Sequence, residues 1–107
     1  MWGAEELRWR VRELLVPGDD PVGEPGRRPD VRIVEGGLEA ALGLFDQLKE
    51  MGEVEKVASY NGHLVGLSSE GRVGLRHTSK SGEPTIDIRL ECLPEIRKIK
   101  FVQDAGR

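Results

Sequence analysis

Apolar residues recur along this chain first at helical and then at strand spacing. Leu7, Val11, Leu14 and Leu15 follow the i, i+4, i+7, i+8 rhythm of one helix face and predict a helix over Gly3 to Val16. Glu5 and Glu6 stand near its start, where the helix dipole favours acidic side chains. Trp2 and Trp9, seven residues apart, fall on nearly one side and are expected to anchor this helix on the body. After a connector, Val31 to Glu35 reads as a short strand, and Gly36-Gly37 turns the chain into a second helix over Leu38 to Met51. Its Leu38, Ala41, Leu42, Phe45 and Leu48 make one apolar stripe, with Gly52 expected as the C′ glycine that ends it.

From Val54 onward the period shortens to two. Val54 to Tyr60 leads into Asn61-Gly62, a dipeptide suited to a type I′ hairpin tip because both central residues take positive φ, and His63 to Ser68 returns. Glu70-Gly71 turns the chain into Arg72 to His77. A loop of Thr78, Ser79, Lys80, Ser81, Gly82, Glu83 and Pro84 separates that strand from Thr85 to Leu90, and Ile96 to Val102 closes the set. Helix, connector, strand, helix and meander together predict an α+β fold: N-terminal helices packed on one face of an antiparallel meander sheet of about four to five strands.

The connector, Pro17 to Asp30, carries a proline at every fourth position (Pro17, Pro21, Pro25, Pro29) with glycines and charges between. Neither a helix nor an internal strand suits it, and a solvated surface linker is expected. A boundary here divides the chain into residues 1–30, a helix with a Pro/Gly-rich linker, and residues 31–107, an α+β domain.

Composition narrows the class. A chain of 107 residues supports one core with little to spare, and 33% charged against 5% aromatic residues describes a modest one. The net charge of -3 excludes a protein coated in basic charge. Its spread is uneven: from His63 to Arg107 eight Lys and Arg stand against six Asp and Glu, a net of +2, while Met1 to Gly62 carries -5. A single cysteine, Cys92, excludes an internal disulfide and a cysteine zinc cluster, and reads as a half-buried structural thiol. No apolar run is long enough to span a membrane, and no signal-peptide core is present, so a cytoplasmic protein is expected.

Candidate chemistry gathers in Arg72 to Arg89. Val73 and Leu75, then Ile86, Ile88 and Leu90, alternate with Arg72 and Arg76, then Thr85, Asp87 and Arg89, so a hairpin puts the second set on one polar face. With Lys98 and Lys100 from the last strand, this face offers cations to an anion or to charge developing on a phosphate. Asp87 is their structural partner or a base. Cross-strand ion pairs on a solvated surface are the plainer account. His63 and His77 sit at strand ends with the pKa range that acid–base work on RNA requires, although His77 shares the parity of Val73 and Leu75 and can equally cap the core edge. Arg76, His77 and Asp87 are expected in one site beside the open face, with Ser79 or Lys80 closing its far side. The Thr78 to Gly82 loop lacks a P-loop pattern, and no residues show metal-ligand spacing, so no metal and no cofactor is expected.

The order GG-LEAALGLFDQL, then VGLRHTSKSGEPTIDIR, then IRKIKFV resembles the C-terminal toxin domains of bacterial polymorphic and contact-dependent toxins, over about Val31 to Val102. Those domains pair a Gly-Gly and Phe-containing helix with an Arg-x-x-Ser-x-Ser-Gly-x-Pro-Thr-Ile-Asp-Ile segment and a final Ile-Lys-Lys-Ile-x-Phe-like strand. The resemblance implies a ribonuclease related in fold to barnase, EndoU and RelE-like toxins: a metal-independent endoribonuclease that cleaves RNA, tRNA among the candidates, by 2′-hydroxyl attack. Carried over by position, it points to Arg76, Ser79, Ser81, Thr85 and Asp87. His77 is the acid or base, and Lys80, Arg72, Arg89, Lys98, Lys100 and His63 are set to bind substrate. It also implies a cognate inhibitor protein, and delivery into a target cytoplasm as the last part of a larger toxin. The acidic net charge departs from that pattern. The alternative is a non-catalytic module that binds a protein or an anion with the same face.

Overall fold

A computed structural model describes residues 3–103. Its elements run α1 (Ala4–Leu15), β1 (Glu24–Pro25), β2 (Val31–Glu35), α2 (Gly37–Lys49), β3 (Glu53–Glu55), β4 (His63–Gly66), β5 (Gly71–Arg76), β6 (Thr85–Leu90) and β7 (Lys98–Val102). The class is α+β: two helices and one open, mixed sheet of seven strands in the order β1-β2-β7-β6-β5-β4-β3. The expected four to five antiparallel strands are therefore corrected in two respects. One is that β2 joins the sheet with β1 added at its outer edge, and the other is the parallel pairing of β2 with β7, in which Val31 lies beside Lys98 and Val34 beside Phe101.

Alternation fixes the two sheet faces. Val65, Val73, Leu75, Ile86, Ile88, Leu90, Ile99 and Phe101 point to one side and are buried there. Ala41, Phe45 and Leu48 of α2 and Leu7, Val11 and Leu15 of α1 join the same apolar cluster. Each large apolar side chain among them contributes about 1.5–3 kcal/mol by leaving water. α1 is also tied down by polar contacts. Arg8 Nη1 lies 3.1 Å from Glu70 Oε2, and Arg12 Nη1 donates to the Cys92 carbonyl at 2.9 Å. Cys92 itself is half-buried, and burial, with the Glu70 carboxylate next in weight, pushes its thiol up to about 11.

Trp9 does not anchor the helix. At about 100° per residue it lies roughly 200° around from Leu7, and it is 59% exposed. Trp2 lies outside the described residues. The connector holds a short 3₁₀ turn, Pro17–Asp19, and the edge strand β1, where Pro25 can sit because its missing N–H costs nothing on an outer edge. It is stitched down rather than loose. Val22 N donates to Leu15 O at 2.9 Å, and Arg32 donates to the carbonyls of Val22 at 2.9 Å and Gly23 at 3.1 Å.

Gly36 and Gly37 make the turn into α2 with φ of 115° and 59°, a region that side chains disfavour. At the far end Gly52 is not left-handed. Instead the helix tightens, with Met51 N donating to Leu48 O at 3.0 Å. Asn61-Gly62 is not a hairpin tip either. β3 ends at Glu55, β4 begins at His63, and neither Asn61 nor Gly62 takes positive φ. A tertiary contact, from Tyr60 to Asp87 on β6, overrides the local turn preference. Among the described residues no helix is long and apolar enough to cross a membrane.

Candidate anion-binding face

The sheet face away from the helices carries Arg72, Gly74 and Arg76 of β5, Thr85, Asp87 and Arg89 of β6, and Lys98 and Lys100 of β7. Register makes Arg72 face Arg89, Gly74 face Asp87, Arg76 face Thr85, and Asp87 face Lys98. Polar alternation predicts all of these on one face, and the strand registers place them there.

At the centre Arg76 and Asp87 meet on a diagonal. Arg76 Nε donates to Asp87 Oδ2 at 2.9 Å and Nη2 to Oδ1 at 3.1 Å, a two-pronged pair that fixes the guanidinium plane. Tyr60 completes the cluster by donating its hydroxyl to Asp87 Oδ2 at 2.7 Å. Its ring reaches Asp87 by lying over Gly74: a Cβ there would stand 2.3 Å from the phenol oxygen. Burial first, and then the bond to Asp87, raises the Tyr60 phenol far above its ordinary value, so it acts as a neutral donor. The same carboxylate, chiefly by hydrogen bonding, raises the Arg76 guanidinium. Asp87 thus accepts three hydrogen bonds from its own chain, which is the arrangement of a structural partner rather than of a poised base.

The loop after β5 is likewise turned on itself. Ser81 Oγ donates to Glu83 Oε1, Ser79 Oγ reaches the same oxygen at 3.4 Å, and Lys100 Nζ donates to Ser81 Oγ at 3.0 Å. These bonds, the one from Ser81 first, hold the Glu83 carboxyl below its usual range. Thr85 is fully buried, with Oγ1 donating to Glu83 O at 3.2 Å. The hydroxyls of Ser79, Ser81 and Thr85 are therefore already engaged, while Lys80 is exposed.

The other end of the face differs. Arg28, Asp30, Val31, Asp87, Ile88, Arg89, Arg97 and Lys98 line a cleft of about 260 Å³. Its two carboxylates are taken: Asp30 by Arg28, at 3.1 Å, and Asp87 by Arg76. The first pair, mainly through its hydrogen bond, lowers the Asp30 carboxyl. Among the described residues no carboxylate forms an ion pair with Arg89 or Lys98, while Arg97 adds its charge to that of Arg28 near Asp30. Arg72, by contrast, lies 2.8 Å from Glu55 Oε1. Arg89 therefore stands opposite an arginine that is already matched, and among the described residues no carboxylate neutralises Arg89 itself.

No protein-family model, no curated protein and no solved structure matches this chain.

The histidines are not part of this face. His63 pairs in register with the buried Leu75, and His77 continues the same parity, so both belong to the helix-bearing side at the sheet's end. They are exposed and face each other, ring centres 5.6 Å apart. Of the expected grouping of Arg76, His77 and Asp87, the arginine and aspartate meet, while His77, just past the end of β5, makes its ring contact with His63. Tyr60, Arg28 and Arg97 join the face without having stood out in the sequence. For Tyr60 a signal existed in Gly74, a bare position in mid-strand that marks a close approach. Arg28 and Arg97 reach the cleft only through the β2–β7 pairing, which local pattern does not announce.

Proposed function

We propose that this protein is a binding module that holds a phosphate-bearing, anionic partner on its open sheet face, with single-stranded RNA as the partner class. The observation that carries this reading is the cleft in which, among the described residues, Arg89 and Lys98 form no ion pair, Arg97 stands beside them, and both neighbouring carboxylates are already held by other arginines. Two guanidiniums and an ammonium at one place suit successive phosphate oxygens. A cognate inhibitor, if this is a toxin domain, would present acidic side chains to the same cations.

Anisotropy of a labelled single-stranded oligoribonucleotide, titrated across salt concentrations, tests it. Three neutralised phosphates predict a log–log salt slope of roughly -2. Arg89→Ala with Lys98→Ala should weaken binding by about tenfold or more and flatten that slope. No binding at low salt, or binding that ignores both substitutions, ends the proposal.

A second reading rests on a different observation, the facing rings of His63 and His77. An acid and a base within one site are what metal-independent RNA cleavage by 2′-hydroxyl attack requires. In that reading total tRNA is cut in EDTA, and His63→Ala or His77→Ala lowers the rate by about 10²-fold. Intact tRNA over a wide pH range leaves the binding module alone.

A further inference from the structure

We propose that His63 and His77 together bind a late first-row divalent metal ion of the Ni²⁺, Cu²⁺ or Zn²⁺ type. The two residues are fourteen apart in sequence, and only the β4–β5 register joins them. His63 lies directly across from Leu75, and His77 follows two residues later on the same side. Adjacent antiparallel strands hold such diagonal neighbours within reach of long and aromatic side chains.

The distance suits one shared ion. An imidazole nitrogen sits about 2.0–2.1 Å from such a metal, which puts each ring centre roughly 3 Å from it and two ring centres at most about 6 Å apart. The observed separation of 5.6 Å, with the planes inclined by 43°, falls within that limit. Both residues are exposed, and among the described residues neither ring is tied up by a hydrogen bond or an ion pair. The nitrogens are therefore available, and no local bond has to break.

Imidazole selects these ions by its intermediate softness, whereas Mg²⁺ and Ca²⁺ favour oxygen donors. Among the described residues no group of three or more His, Cys, Asp and Glu side chains gathers for a metal. The ion accordingly takes two protein donors, and its remaining positions are open to water or to an oxygen of a bound partner. Bound there, it links the start of β4 to the end of β5 and fastens the loops on either side. This site is on the helix-bearing side of the sheet, and it stands or falls independently of the cationic cleft.

Calorimetric titration of the tag-free full chain with Ni²⁺ tests the inference. One ion per chain is expected, released by EDTA, with a matching rise in Tm. His63→Ala and His77→Ala should each weaken Ni²⁺ by about tenfold or more, as loss of one of two ligands demands. Each should abolish the Ni²⁺-dependent rise in Tm while leaving the metal-free Tm unchanged, because both side chains are exposed. The conservative variant His63→Gln should behave as His63→Ala. Undiminished Ni²⁺ affinity in the doubly substituted chain would overturn the assignment, as would the absence of binding at millimolar Ni²⁺.

Discussion

Two groups of cations share one sheet face and are treated in opposite ways. Arg76 sits at the centre, gripped by Asp87, which is in turn gripped by Tyr60. A strand-width away, Arg89, Lys98 and Arg97 line a cleft where, among the described residues, none of them forms an ion pair. A guanidinium that is four-fifths buried must be matched within the chain, or it destabilises the fold. A guanidinium left in water costs little to keep unmatched and remains free for another molecule. Charge on this surface therefore divides into a part that holds the sheet together and a part available for recognition. The two are separable by mutation.

The largest effect should come from Asp87→Ala, which strands Arg76 and Tyr60 together. Removing one partner of a fully buried pair costs about 3–5 kcal/mol. With side chains 20% and 18% exposed, about 2–3 kcal/mol is expected here after allowing for that solvent contact. Urea denaturation measures it, and a loss under about 0.5 kcal/mol would erase the distinction between the two groups.

Next comes the reverse pattern at the cleft. Arg89→Ala with Lys98→Ala should leave Tm within a degree or two while RNA affinity falls, since both side chains are exposed and among the described residues neither forms an ion pair. A drop in Tm with unchanged affinity would make the cleft structural too.

Smaller effects belong to Tyr60. Tyr60→Phe removes one hydrogen bond to a charged acceptor, worth about 1.5 kcal/mol. Gly74→Ala should mimic it, because the new methyl displaces the phenol. If Gly74→Ala is neutral and Tyr60→Phe is not, the ring does not need the bare strand position. The smallest signal is at alkaline pH. The phenol's folded-state pKa is raised, so above pH about 10 the unfolded chain gives up this proton before the folded one does. Stability is thus fully present below that pH and falls as pH rises above it. In Tyr60→Phe that part of the alkaline loss should vanish, which stability curves at pH 9 and 11 would show.

The parts of this molecule legible in sequence are those decided by neighbours a few positions apart. The Leu7, Val11, Leu15 stripe of α1 buries as its spacing requires, and the Gly36-Gly37 turn is where the pattern changes. The β5–β6 register follows from two alternating runs around a loop, and the Arg76–Asp87 contact follows from the register. What escaped depended on distant partners. Pairing of β2 with β7 joins residues 67 positions apart, as Val31 with Lys98, and no periodicity within either strand encodes it. Asn61-Gly62 carries a sound local preference that loses to the pull of Tyr60 on Asp87. The two histidines stand at strand ends as their positions predict, but their meeting requires the β4–β5 alignment as well.

The position of β7 between β2 and β6 has a consequence in time as well as in space. On a ribosome the β3–β6 meander can zip up hairpin by hairpin as it emerges, while β1 and β2 wait with a bare edge. No strand pairing joins the two pieces until Val102 has been made and the last strand threaded between them. Long-range pairing of this kind is slow to form, and it leaves strand edges open to wrong partners in the interval. A nascent chain halted before Lys98 should therefore be two loosely associated halves, protease-sensitive across Val31–Glu35, whereas release of the last strand should protect both at once.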